Sequence, residues 1–226
     1  MRTERGLRPI VRLAAFATVA MFAWPRAASG QLRSRALESL PDGAARDAIR
    51  ATVAAADSRG VPTAPLFTKV QEGVAKQAAP SRIADAVRLL ATRLTTATEA
   101  LAVALSADEV AAGAEALQVG VPAPTLRELR KRWATTPLTV PLGVMTQMVA
   151  SGVPVSRASS QVRLLLERGA TPTQLVALTN SVQADVASGM APDVAFTLRS
   201  SGLLSGADGL TTTGVAPPSN RAPPRP

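Results

Sequence analysis

Residues 81–105 read SRIADAVRLLATRLTTATEALAVAL. Ile83, Val87, Leu90, Leu94, Ala97 and Leu101 recur at alternating steps of four and three, which places them on one face of an α-helix. The stripe lasts under four heptads and includes an alanine, so it suits the long central helix of a globular core better than a coiled-coil seam. Runs that alternate polar and apolar residues with period two are nearly absent from the chain, so strands are not expected.

Outward from this stretch, the sequence reads as short helices separated by Gly and Pro. Ser106-Ala107-Asp108-Glu109 is a capping box, in which Ser and Glu satisfy the free backbone donors of a new helix. Thr171-Pro172-Thr173-Gln174 is a second, with Pro at the first helical position, where its missing N–H costs nothing. Leu175, Leu178, Thr179, Val182 and Val186 then share a face. Gly60, Gly120, Gly152, Gly169 and Gly189 each follow a periodic stretch and suit a left-handed helix end. A Gly-Val-Pro tripeptide occurs at 60–62, 120–122 and 152–154, and a further Pro follows each at 80, 141 and 172. Gly189-Met190-Ala191-Pro192 is a looser fourth start. Two readings stay open: a repeated αα-hairpin, whose copies bury their faces against one another, or a helix–helix linker that simply recurs. The fold expected is all-α, with short helices in αα-hairpin-like repeats forming an irregular bundle or a solenoid.

The amino-terminal residues read as an address. Arg2, Arg5, Arg8 and Arg12 precede an apolar run from Leu13 to Trp24, and Ala28-Ser29-Gly30 supplies small residues. A basic flank, a short apolar core and a small-residue site make a bacterial-type secretory signal peptide, with cleavage expected after Gly30. The run is too short to span a membrane, which takes roughly 20 apolar residues. The expected organisation is a signal peptide at 1–30, a helical hairpin domain at 31–202 and a disordered Pro/Gly-rich tail at 203–226. Ala216-Pro217-Pro218 and Arg221-Ala222-Pro223-Pro224-Arg225-Pro226 give that tail polyproline II character. The mature chain is therefore expected to be exported, periplasmic or extracellular, and not membrane-spanning.

Composition narrows the chemistry. The 226 residues include no His, Cys or Tyr. A Ser-His-Asp triad, a thiolate nucleophile and the usual zinc ligands are thus excluded. Neither a Walker-type phosphate loop nor a GxGxxG turn occurs. No cofactor or metal is expected, and no enzyme activity. Beyond the leader the aromatic residues are Phe67, Trp133 and Phe196, too few for the stacking platforms of single-stranded nucleic-acid modules. The one charge cluster is Arg127, Glu128, Arg130, Lys131 and Arg132. Arg127, Arg130 and Lys131 are expected on the outer face of a helix whose inner face is Leu126, Leu129 and Trp133. They are the candidate contact for an anionic partner, and Trp133 is the candidate interface anchor. Asp185 and Asp193 lie on successive expected helices, where a pair of carboxylates could approach.

The function these features point to is an exported, non-enzymatic helical binding or scaffold protein whose partner is a protein of the cell envelope. The alternative is an electrostatic binder of anionic envelope polymers or surfaces, working through the basic amphipathic helix.

Overall fold

A computed structural model describes residues 37, 38, 40, 43–102 and 104–206. Among them the chain forms nine α-helices and no strand. These are α1 (Ala44–Asp57), α2 (Ala64–Ala75), α3 (Pro80–Leu101), α4 (Ala107–Gln118) and α5 (Ala123–Arg132). They continue with α6 (Thr139–Ala150), α7 (Val155–Glu167), α8 (Pro172–Ala187) and α9 (Pro192–Leu204). The all-helical expectation therefore holds. The expected signal peptide at 1–30 and residues 207–226 of the tail expected at 203–226 lie outside the described residues.

Helix α3 is the long helix of the opening stretch, and Ile83, Val87, Leu94, Ala97, Ala100 and Leu101 are its buried residues. It stops at Leu101, short of Leu105. Ala102 leaves the helix with φ 40°, and the Leu105 N–H is bonded instead to Glu109 Oε2 at 2.9 Å. The opposite shift occurs at the other end, where α9 runs two residues past 202. Leu203 and Leu204 pack against the core there, which outweighs the roughly 1 kcal/mol that Gly202 costs in a helix.

The glycine punctuation works as expected. The links α4–α5, α6–α7, α7–α8 and α8–α9 each have four residues. All four use one hydrogen-bond scheme. At the second link the Gly152 N–H meets Val149 O and the Val153 N–H meets Met148 O, both at 3.0 Å. The same pair of bonds recurs at Gly120, Gly169 and Gly189. This is the Schellman ending, in which the residue after the C-cap is left-handed: Ser151 caps α6 and Gly152 has φ 104°. It explains the tripeptide. Gly turns the chain, Val follows at the position that packs back on the helix, and Pro leads into the next helix. Val61, Val121 and Val153 are accordingly buried.

Leu, Val and Ala fill two hydrophobic clusters. One gathers residues from α1, α2 and the first part of α3 with Val110 and Ala114 of α4. The other runs from the end of α3 and the opposite side of α4 through α5 to α9, and includes Met145, Met148 and Phe196. Helices α3 and α4 thus supply side chains to both. Close approach makes this possible: a Cβ on Gly113 of α4 would lie 2.9 Å from Leu101 Cδ1 and 3.3 Å from Leu126 Cδ2. Packing pairs helices two apart as well as neighbours. Helix α3 meets α5, α4 meets α6, α6 meets α8 and α7 meets α9.

Candidate functional site

Helix α5 carries the charge cluster. Pro124 lies in its first turn, and Leu126 and Leu129 are buried. Arg127, Glu128, Lys131 and Arg132 are exposed. Trp133 is half-buried against the larger cluster. Arg130 corrects the expected outer face: it is only 5% exposed and lies inside the molecule. The reason is its register. Residues 126, 129, 130 and 133 follow the i, i+3, i+4, i+7 rule, so Arg130 belongs to the inward stripe that Leu126, Leu129 and Trp133 define.

A buried charge needs partners, and Arg130 has several. Its Nη2 pairs with Oε1 of Glu109, which is wholly buried on α4. Its Nη1 donates to Trp133 O and Ala134 O at 3.0 Å and to Thr136 O at 3.3 Å. Those carbonyls belong to the end of α5 and the link that follows. Arg130 therefore closes the carboxyl end of its own helix, where a cation is favoured, and fastens it to the start of α4. Burial alone lowers the Arg130 pKa from its ordinary value.

Glu109 has two duties. Its backbone N–H donates to Ser106 Oγ at 3.1 Å, which is one half of the expected capping box. The other half is altered, because Glu109 Oε2 caps the Leu105 N–H and Oε1 turns to Arg130. The box at Thr171 forms in full: the Gln174 N–H donates to Thr171 Oγ1 at 3.3 Å, and the Thr171 N–H donates to Gln174 Oε1 at 2.9 Å.

A second group of exposed basic residues lies where α5 and α7 end. Arg132 Nη1 lies 3.3 Å from Glu167 Oε1, at the end of α7. Arg163 Nε approaches the same oxygen at 3.8 Å. The Arg132 guanidinium also lies over the Trp133 ring, 5.5 Å from its centroid. This joining of α5 to α7 left no sequence signal, since Arg132 and Glu167 are far apart in the chain.

The two aspartates do not form a pair with each other. Asp185 takes a two-pronged hydrogen bond from Arg199 Nε and Nη2, both at 2.7 Å. This bond lowers the Asp185 pKa below its ordinary value and raises that of Arg199. Asp193 lies 3.7 Å from Arg157 Nη1. Each carboxylate thus ties one helix to another: α8 to α9, and α9 to α7. Among the described residues no group of three His, Cys, Asp or Glu is placed to hold a metal ion, and no helix is long and apolar enough to cross a membrane. No family model, curated protein or solved structure gives a significant match to this chain.

Proposed function

We propose that the chain is an exported, non-enzymatic helical binding or scaffold protein, built from stacked αα-hairpins that present a face to another protein of the cell envelope. The observation that carries this reading is the packing of helices two apart in sequence, α4 on α6 on α8 with α7 on α9. Four of the five links from α4 to α9 are the same four-residue turn with a left-handed glycine, the exception being the six-residue α5–α6 link. Units of this kind bury one side against their neighbours and leave a long outer surface free for a partner. An alternative reading, a binder of anionic envelope polymers, is favoured by the exposure of Arg127 and Lys131 on α5. It loses Arg130, which is buried.

The test is capture by the immobilised protein from an envelope extract, with elution by a salt gradient. The expected result is a discrete protein that stays bound at high salt, because shape-matched apolar contact is little screened. A polyanion-rich eluate at low salt favours the alternative. Saturable turnover by the pure chain would overturn both.

A further inference from the structure

Helices α5 and α7 meet at their carboxyl ends, and one carboxylate serves two arginines there. Glu167 Oε1 faces both Arg132 and Arg163, whose side chains stay 61% and 50% exposed. A guanidinium carries five N–H donors. Each of these two directs one nitrogen at Glu167, so most of their donors face water. The Arg132 guanidinium lies over the Trp133 ring, 5.5 Å from its centroid, and Trp133 is half-buried. Lys131 is exposed on the same helix end, and Arg168 is exposed next to Glu167 in sequence. The place is thus cationic, already takes a carboxylate, and has an aromatic ring beside it.

We infer that the joined ends of α5 and α7 are a docking surface for an acidic segment of a protein partner. Carboxylates of the segment sit against Arg132 and Arg163, and an apolar side chain next to them covers Trp133. The inference rests on the scaffold reading and names the partner chemistry for it. Two features favour an acidic peptide over a phosphate polymer. The in-chain ligand of these arginines is itself a carboxylate. Trp and Arg side by side are also the residues that most often carry protein–protein binding energy, whereas a phosphate chain has no apolar group to cover the ring.

The test uses the full chain with Trp24→Phe, so that Trp133 is the single tryptophan fluorophore. It is titrated with an oligopeptide of Glu and Leu, and separately with an oligophosphate of equal charge. The peptide is expected to shift Trp133 emission, and Arg132→Glu with Arg163→Glu is expected to weaken binding by roughly tenfold or more. Arg132→Lys with Arg163→Lys keeps the charge and the fold, and is expected to lose several-fold through the missing fork. Arg127→Glu should change little. The inference is overturned if the peptide fails to bind, if the oligophosphate binds as tightly, or if the lysine variant, with helical circular dichroism intact, binds as well as the parent. Repeating the envelope capture with the lysine variant separates the two ideas. A partner held equally by both chains removes this surface and leaves the scaffold reading standing, whereas no partner for either removes the reading itself.

Discussion

Arg130 and Glu109 form a pair whose worth depends on both members. Taking one charge from a buried pair strands the other, which costs about 3–5 kcal/mol. Glu109→Gln is expected to lower the unfolding free energy, read from urea melts, by an amount of that order. Arg130→Met should do the same. The double variant should recover much of the loss, since neither charge is then buried alone and the carbonyls of Ala134 and Thr136 belong to exposed residues that water can reach. A double variant as unstable as the sum of the two single ones would contradict this account. Asp185 differs, because it is partly solvated. Arg199 depresses its pKa, so the folded state gains from the ionised form above the ordinary value of 3.8 and loses that gain as the pH falls through the lower folded value. Asp185→Asn should therefore cost about 1 kcal/mol at neutral pH, discounted for the exposure of Arg199. The gap between parent and variant in urea melts should close well below pH 3.8. A gap that stays constant with pH would assign the effect to packing instead.

Elements were legible wherever the signal was local. The stripe of Ile83, Val87, Leu94 and Leu101, the box at Thr171 and the glycine helix ends all depend on residues within one or two turns of each other, and the structure has them. Arg130 was legible too, through its spacing from Leu126 and Trp133, but its charge argued for the surface and the charge misled. The partner that makes its burial tolerable lies on another helix, and periodicity carries no word of that. Arg132 with Glu167 is the same case. The links between helices yield a direct prediction. Gly152→Ala places a Cβ at φ 104°, where space is adequate, with Pro192 Cγ 3.8 Å away, yet the backbone is strained. It is expected to cost about 1–2 kcal/mol in urea melts. Gly143→Ala within α6 meets nothing within 4 Å and should be neutral or slightly stabilising. Equal losses at both sites would show that the left-handed turn is not what Gly152 provides.

Across the molecule, α3 packs on α1, α2, α4 and α5, while α9 rests mainly on α7 and α8. With α4, α3 also belongs to both hydrophobic clusters. Protection against amide exchange is expected to be greatest in α3 and α4 and least in α9. Exchange in α3 as fast as in α9 would mean the two clusters open independently. Little of this hierarchy could be read from the chain, because nearly every helix offers the same Ala, Leu and Val and the ranking comes from how many neighbours each helix meets. The helix-on-helix order has a mechanical side. Tension applied between the two ends of the described chain would reach α9 from one side and α1 from the other. If the hairpins stack as proposed, such a row would yield by peeling, one helix or hairpin at a time, rather than by a single rupture. The protein would then lengthen in steps under load and keep its middle, α3 and α4, until last.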